Sequence, residues 1–291
     1  MHTVGTVYRP PTEAFNPLLP VVNGCSHNTC KFCSMYKDVP FRMVPLEHVE
    51  EDLRELAKQF PEADTMHFLG GNAFCLSYSN LVERIELVNR IMPNIRHINM
   101  MARVTDVCNK TVEQLVDLRN RGVDFLYIGH ESGDDEVLAR VDKGCTSADI
   151  LEQCGKLDEA DIDYNFTFLN GVGGRALSRQ HAVNSAKVFN QLKCSRVGSG
   201  SLTLFPDTQL FAEREAGLFD DMTERERAEE LYTFLDHIDR ECHVACHHTS
   251  VIPVSGHFPY DKPTVMRQFR FAIDTLDEEL KQLHRRNIST L

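Results

Sequence analysis

The chain has 291 residues, of which 42% are hydrophobic and 25% are charged, so it is long enough and apolar enough to bury a substantial core. The formal net charge of −12 produces a field that repels phosphate backbones and anionic lipid headgroups. Nucleic acid and membrane surfaces are therefore excluded as default partners, and small molecules are favoured.

The sequence also indicates a cellular compartment. It contains no uninterrupted apolar run of the roughly 20 residues that a membrane span requires. Its first residues lack the basic start and apolar stretch of a secretion signal. Ten cysteines in a chain that is not exported are expected to be reduced, as metal ligands or core residues. We therefore predict a cytoplasmic protein.

Apolar runs and amphipathic segments alternate along the first two thirds of the chain. The apolar runs predict strands over 16–24, 65–71, 97–103, 124–131, 163–174 and 197–205. The segments between and after them predict helices over 45–59, 81–92, 111–122, 134–142, 147–160 and 178–193. Such alternation is typical of parallel strands covered by helices. The predicted fold class is α/β, a partial (β/α)6 barrel.

The pattern changes after the turn at 206–208. A charged helix is predicted over 223–241, a strand over 248–256 and a final helix over 263–285. This segment is short for an independent core. We therefore predict a barrel over 1–210 and a short C-terminal α/β extension over 211–291 that packs on it within one continuous domain.

Three cysteines lie close together after the first predicted strand. Cys25, Cys30 and Cys33 form a Cys-x4-Cys-x2-Cys motif. Thiolates are soft ligands that iron–sulfur clusters favour, and three ligands for four irons leave one iron open to an external chelator. In barrels, the loops that follow the strands build the active site. Zinc, with His27 or a remote residue as fourth ligand, and reduced structural cysteines are the alternatives.

With Phe32 between its last two cysteines, the motif resembles that of the radical S-adenosylmethionine superfamily. It departs from the usual Cys-x3-Cys spacing by one residue. The segment 69–72 (LGGN) resembles the Gly-Gly-Glu motif of that superfamily, with Asn72 in place of the acid. Further similar segments follow in the family's order, at 128–144, 168–174 and 202–210. They resemble the corresponding segments in the barrels of oxygen-independent coproporphyrinogen oxidases and methylthiotransferases.

The resemblance implies that the three cysteines hold a [4Fe–4S] cluster whose free iron binds S-adenosylmethionine. One-electron reduction would then yield a 5′-deoxyadenosyl radical that abstracts a hydrogen atom from a small-molecule substrate. The residues that the resemblance places around S-adenosylmethionine are Phe32, Gly70, Gly71, Asn72, Arg103, Glu131, Gly171 and Gly173. No further catalytic residue is assigned.

In that assignment, Phe32 packs on the adenine, Asn72 holds the ammonium and Arg103 the carboxylate. Glu131 binds the ribose hydroxyls or the ammonium. Each side chain also has an ordinary structural explanation. Phe32 can pack in the loop, Asn72 can be a turn residue, and Arg103 and Glu131 can be the solvated ends of strands. Gly171 and Gly173 let the backbone approach a ligand, or simply form a turn.

The reaction also needs an electron donor, for which a flavodoxin or ferredoxin is expected. Two other functions remain open. One is the transfer of an aminocarboxypropyl or methyl group with the same cluster, and the other is a zinc-stabilised α/β protein without catalysis. Near the C-terminus, a helical Cys-x3-Cys would place Cys242 and Cys246 on one face, where a second metal site with His247 and His248 is disfavoured. His248 is the better candidate to face a substrate.

Overall fold

Parallel strands and helices alternate along the chain in a computed structural model that describes residues 1–288. The chain divides into two units. Unit 1 comprises Met1–Asn28, Met35–Gly129 and Glu152–Tyr164. Unit 2 comprises Thr29–Ser34, His130–Leu151 and the chain from Asn165 onward. The two units are described separately below.

The strands follow the predicted order. Within residues 1–288 they are β1 (Leu18–Pro20), β2 (Val22–Asn23), β3 (Arg42–Met43), β4 (Thr65–Leu69), β5 (His97–Ala102), β6 (Val123–Ile128), β7 (Asp163–Asn170), β8 (Arg196–Ser201), β9 (Cys242–Cys246) and β10 (Val254–Phe258).

Helices lie between most of these strands. Within the same residues they are α1 (Leu46–Gln59), α2 (Tyr78–Ile91), α3 (Val104–Val107), α4 (Val112–Asn120), α5 (Asp135–Arg140), α6 (Ser147–Glu159), α7 (Gly174–Phe189), α8 (Gln209–Glu215), α9 (Glu224–Asp236), α10 (Lys262–Asp274) and α11 (Glu278–Arg286). Short 3₁₀ turns form at Pro11–Glu13 and Ala73–Cys75. No helix in this part of the chain combines the length and the apolarity that a membrane crossing demands.

In unit 1, β1, β4, β5 and β6 are neighbours in that order and all run parallel. β6 also pairs in parallel with the first two residues of β7. Side chains of β4 are buried on both faces, whereas on β5 and β6 buried residues mostly alternate with partly exposed ones. The carboxyl ends of β4 and β5 therefore lie at the same edge, where Gly70 and Arg103 follow them.

In unit 2, β7 pairs in parallel with β8, and β8 with β9. β10 returns antiparallel to β9, with Phe258 opposite Cys242. α9 begins at a capping box in which the Thr223 side chain accepts from the Glu226 N–H and the Glu226 side chain accepts from the Thr223 N–H. The predicted α/β class with mainly parallel strands is confirmed.

The C-terminal predictions need three corrections. No strand was predicted for the segment with Cys242 and Cys246, which was considered only in a helical conformation, but it forms strand β9, in which Cys242, Val244 and Cys246 alternate with more exposed residues. The strand predicted over 248–256 lies later, at β10. The helix predicted over 263–285 is two helices, because Asp277 starts a new one by accepting from the Leu280 N–H.

Candidate active site

The three cysteines of the motif are in no disulfide and have intermediate exposure. Cys25 belongs to unit 1, and Cys30 and Cys33 belong to unit 2. In unit 2, these two cysteines pack against an apolar cluster built around the buried Phe32, which is 8% exposed. The backbone of Lys31 fixes this segment, since its N–H donates to the Val141 carbonyl at 3.0 Å and its carbonyl accepts from the Leu210 N–H at 2.9 Å. The apolar packing that was one expectation for Phe32 is present.

The glycines that follow β4 press against the Cys25 segment. The Gly71 N–H donates to the Gly24 carbonyl at 2.9 Å. A Cβ on Gly71 would lie 2.8 Å from Cβ of Cys25, and one on Gly70 would lie 2.2 Å from Cγ2 of Val22. Neither neighbour leaves room for a side chain, so the glycine pair determines where the first cysteine lies.

Asn72 is fully buried, and both ends of its amide are used. Its Oδ1 accepts from the Ser26 N–H at 2.9 Å, next to Cys25. Its Nδ2 donates to Oγ of Ser26 at 2.7 Å and contacts both carboxylate oxygens of Asp106 at 3.1 Å. Asn72 therefore ties the residue after the first cysteine to a buried acid. A contact between this amide and the ammonium of S-adenosylmethionine stays a prediction.

Asp106 is a functional candidate that the sequence did not reveal. It is 4% exposed, and its Oδ2 accepts from the Arg103 N–H at 2.8 Å, which caps α3. Burial raises the pKa of Asp106, while hydrogen bonds from the Arg103 backbone and from Asn72 oppose the rise. At the position where the resembled motif has an acid, this chain has Asn72, whose amide donates to the acid Asp106.

Lys110 supplies a buried cation beside Asp106. Its Nζ donates to the Phe74 carbonyl at 2.8 Å and lies 4.2 Å from the centre of the Phe74 ring. Burial lowers the pKa of Lys110 to about 8, against the attraction of Asp106 and Cys75. Burial, and then the charge of Asp106, raises the pKa of the Cys75 thiol to about 12, so Cys75 stays a neutral thiol.

In unit 2, Glu131 has a constrained backbone. Its φ of 67° lies in the left-handed region, which is unusual for this residue type. Two hydrogen bonds of 2.9 Å hold it there, one from its N–H to the Thr167 carbonyl and one from the Leu169 N–H to its carbonyl. A strained position held on both sides is common where a side chain must be aimed.

Lys143 is the partner of the Glu131 side chain and was also missed in the sequence. Its Nζ lies 3.1 Å from Oε1 of Glu131 and 5.9 Å from the centre of the Phe32 ring. Burial disfavours the charge of Lys143, but Glu131, Cys30 and Cys145 favour it, and the net effect raises the pKa of Lys143. The signal was available, because Lys143 lies inside the 128–144 segment that carried the resemblance.

The glycines after β7 contact the protein itself. The Gly171 N–H donates to the buried Glu230 carboxylate, and a Cβ at this position, where φ is +85°, would lie 2.4 Å from Nη1 of Arg227. A Cβ on Gly173 would lie 3.0 Å from Cγ2 of Val137. These contacts explain the glycines by packing, and an approach to adenine stays a prediction.

Cys242 and Cys246 lie on strand β9, and the helical arrangement considered for them does not form. Cys242 and Cys246 are both buried in the sheet, and burial raises their thiol pKa values to about 11 and about 12. Nδ1 of His248 lies 2.6 Å from Oγ of Ser250. Within residues 1–288, no three His, Cys, Asp or Glu side chains converge as they would around a single metal ion. The three thiolates of a cubane bind different irons and need not converge on one point.

The chain is an α/β protein in which a segment with three cysteines follows strands β1 and β2. This combination is typical of a class of iron–sulfur enzymes. The sequence pattern of the radical SAM superfamily matches residues 19–189, more than half of the chain. The chain therefore belongs to the radical SAM superfamily, whose enzymes use a [4Fe–4S] cluster and S-adenosylmethionine. A comparison with curated proteins gives no match.

Solved structures of radical SAM enzymes share the fold. Methylornithine synthase is 15% identical with a TM-score of 0.54, covering 77% of this chain and 61% of that one. The radical S-adenosylmethionine methyltransferase TsrM from Kitasatospora setae is 18% identical with a TM-score of 0.56, covering 69% and 40%. HydG, a maturase of the [FeFe]-hydrogenase, is 13% identical with a TM-score of 0.54, covering 80% and 52%.

This chain thus spans less than two thirds of the length of each of these three enzymes. At these identities the likeness establishes the fold alone, an α/β fold with mainly parallel strands, as the alternation of strands and helices predicts.

Proposed function

We propose that Cys25, Cys30 and Cys33 hold a [4Fe–4S] cluster and that the enzyme uses it to act on a small-molecule substrate through S-adenosylmethionine. When bound and reduced, the cluster supplies the electron that splits S-adenosylmethionine into methionine and a 5′-deoxyadenosyl radical, which takes a hydrogen atom from the substrate. The observation that carries the proposal is the position of these three half-buried cysteines, none of them in a disulfide, within one short segment of a radical SAM chain.

The donor set fits the cluster. Thiolates are the ligands that iron–sulfur clusters take, and none of the three is consumed in a disulfide. The apolar packing around Cys30 and Cys33 supports the low exposure that tunes such a centre. Gly71 and Asn72 fix the backbone on either side of Cys25.

Glu131 is our candidate for the residue that meets the polar groups of S-adenosylmethionine. Its backbone is fixed by two hydrogen bonds, and Lys143 holds one of its carboxylate oxygens. The second oxygen can then accept from an ammonium or a hydroxyl. Lys143 acts here as a positioning residue. Arg103 remains the candidate for the carboxylate of the cofactor, since its backbone is fixed as the cap of α3.

Anaerobic reconstitution tests the cluster. We expect about four irons per chain and absorbance near 400 nm in the parent protein, and a loss of most of both in Cys30→Ala. Cys108→Ala is the matched control, because Cys108 is exposed and lies outside the motif. A colourless protein with bound zinc, or a Cys30→Ala variant that assembles the same cofactor, would refute the proposal.

Product analysis tests the reaction. With dithionite as reductant, we expect 5′-deoxyadenosine and methionine from S-adenosylmethionine. Methylthioadenosine or S-adenosylhomocysteine would instead identify the transfer of an aminocarboxypropyl or methyl group. TsrM, one of the structures of similar fold, is a methyltransferase, which is why this second outcome is measured in the same experiment.

We further propose a reduced flavodoxin or ferredoxin as the physiological electron donor in the cytoplasm, since the cleavage consumes one electron. Replacing dithionite with a reduced flavodoxin should sustain 5′-deoxyadenosine formation. No product with any flavodoxin or ferredoxin of the host, while dithionite works, would contradict this part of the proposal.

A further inference from the structure

A cavity of about 560 Å³ lies in unit 2, beyond the carboxyl end of β8. Its wall begins at Thr203, Leu204 and Phe205, directly after the strand, and continues on α8, α9 and α11. In barrel enzymes this end of the strands is the catalytic end. A volume of several hundred Å³ is typical of pockets for small molecules.

The cavity carries an excess of positive charge in an acidic protein. Four arginines line it, against the two carboxylates of Asp221 and Glu224, although the whole chain has a formal charge of −12. The arginines are Arg214, Arg227, Arg285 and Arg286. Guanidinium groups are suited to carboxylate and phosphate, which they can bind through two parallel hydrogen bonds.

Two of these arginines are occupied by the fold. Arg227 is 2% exposed, pairs with Asp221 and donates to the Leu202 carbonyl at 3.0 Å. Arg285 pairs with Glu224, and its Nη1 donates to the same carbonyl at 2.9 Å. Each lining carboxylate is thus paired with one arginine, the buried Arg227 or the partly buried Arg285, and both arginines donate to the chain at the end of β8.

The other two arginines lie nearer to solvent. Arg214 pairs with Glu215, an adjacent residue whose side chain is 61% exposed, and lies 4.5 Å above the Phe211 ring. An ion pair with so exposed an acid contributes little and can be exchanged for a ligand. Arg286 is exposed, and within residues 1–288 it makes no ion pair.

Most of the remaining wall is apolar, with Leu204, Phe205, Phe211, Met222 and Ile288 among its residues, although Thr203 and Gln282 also line it. Leu204 also packs against the apolar cluster around Phe32, the cluster that Cys30 and Cys33 contact. One side chain of the cavity wall is therefore shared with the packing of two proposed cluster ligands.

We propose that this cavity binds the substrate and that the substrate is an organic anion, with a carboxylate or phosphate group held by Arg214 and Arg286 and an apolar body against Leu204 and Phe211. This assignment rests on the proposed function in calling the ligand a substrate. The binding chemistry rests only on the cavity.

Three probes of one shape test the charge preference on the anaerobically reconstituted protein: 2-naphthoate, 2-naphthyl phosphate and 2-naphthylmethanol. Equilibrium dialysis should give one of the anions a Kd about tenfold lower than that of the neutral alcohol. The two anions separate a carboxylate site from a phosphate site. Arg286→Gln and Arg214→Gln should each remove most of the preference without changing the Kd of the alcohol.

Arg267→Gln is the matched control, because Arg267 is exposed on α10 and is absent from the cavity wall. It should leave all three Kd values unchanged. Binding of the three probes with equal Kd, or an equal loss in Arg267→Gln and Arg286→Gln, would overturn the inference.

Formation of 5′-deoxyadenosine is measured in the same preparations without probe, so the two proposals fail separately. If the three probes bind with equal Kd to an enzyme that makes 5′-deoxyadenosine, only the anion site is refuted. Charge-selective binding in a chain that makes none refutes only the proposed reaction.

Discussion

Nζ of Lys143 lies 3.1 Å from Oε1 of Glu131, and the two side chains retain only 6% and 14% of their exposure. Removing one partner of such a pair leaves a charge buried without compensation, at a cost of about 3 kcal/mol or more. Lys143→Met should therefore lower the free energy of unfolding by about that amount in a urea titration. Lys143→Arg keeps the positive charge, so its free energy of unfolding should fall much less.

The double variant Glu131→Gln with Lys143→Met provides the control for this pair. It removes both charges, so its loss should be clearly smaller than the sum of the two single losses. Additive losses, or a Lys143→Met variant as stable as the parent, would show that the contact contributes nothing.

Asn72→Asp tests the buried contact between Asn72 and Asp106. Two carboxylates in direct contact cannot both ionise, and the pKa of Asp106 is already raised by burial. The folded variant should therefore keep a proton that the unfolded chain releases, so its free energy of unfolding relative to that of the parent rises as the pH falls. We expect a loss of about 2 kcal/mol at pH 7.5 and a smaller loss at pH 5.5, measured by urea unfolding.

Asn94→Asp serves as the surface control, because Asn94 is exposed. The free energy of unfolding of Asn94→Asp should differ little from that of the parent protein at either pH. A loss in Asn72→Asp that stays constant from pH 5.5 to 7.5 would contradict the shared proton.

Gly71→Ala tests the contact with Cys25. The added Cβ would lie 2.8 Å from that of the cysteine, so one of the two segments must shift. We expect the iron content after anaerobic reconstitution to fall by at least half in a chain that still folds by circular dichroism. Gly155→Ala is the matched control, since a Cβ at Gly155 on α6 meets nothing within 4 Å. Its iron content should equal that of the parent, and equal iron in both variants would refute the role of Gly71.

His67→Leu tests a buried histidine in unit 1. His67 is fully buried without a hydrogen-bond partner within residues 1–288, and burial lowers its pKa to about 4 despite the nearby charge of Glu13. The unfolded chain gains a proton near pH 6.5 and the folded chain does not. Between pH 6.5 and 4.5, His67 should thus lower the free energy of unfolding of the parent protein by about 2 kcal/mol as the pH falls.

Leucine cannot take up a proton. In urea titrations over the same interval, the free energy of unfolding of His67→Leu should therefore depend much less on pH than that of the parent protein. His284→Gln, at an exposed histidine on α11, should keep the pH dependence of the parent. The interval stops at pH 4.5 because Glu13, whose pKa is lowered by hydrogen bonds from Tyr127, Asn16 and Asn99 against the effect of burial, begins to titrate below it. An unchanged pH dependence in His67→Leu would refute the assignment.

The sequence was sufficient for the parallel part of the fold, because long apolar runs and strong helical periodicity recur there. It failed at β9, where Cys242 and Cys246 suited a helix as well as a strand by spacing alone. Only the pairing with β8 and β10 decides between them. The break between α10 and α11 depends on one capping residue, Asp277, which a helical pattern conceals.

At the site, the cysteines, Gly71 and Glu131 could be found from the sequence because short motifs surround them. Asp106 and Lys110 could not, because they lie more than 30 residues from Asn72 and Phe74 along the chain and meet them only in the fold. The arginines of the cavity were missed for the same reason, since they come from separate helices.

The described residues that line the cavity span 203–288, whereas the superfamily pattern matches 19–189. The stretch that identifies the chemistry and the stretch that surrounds the cavity are therefore encoded in separate parts of the gene. If the cavity binds the substrate as we propose, mutations in the second stretch would alter which substrate the enzyme accepts and would leave the superfamily stretch unchanged. Chimaeras that exchange only the last third of the chain are then a route to new substrates on an old reaction.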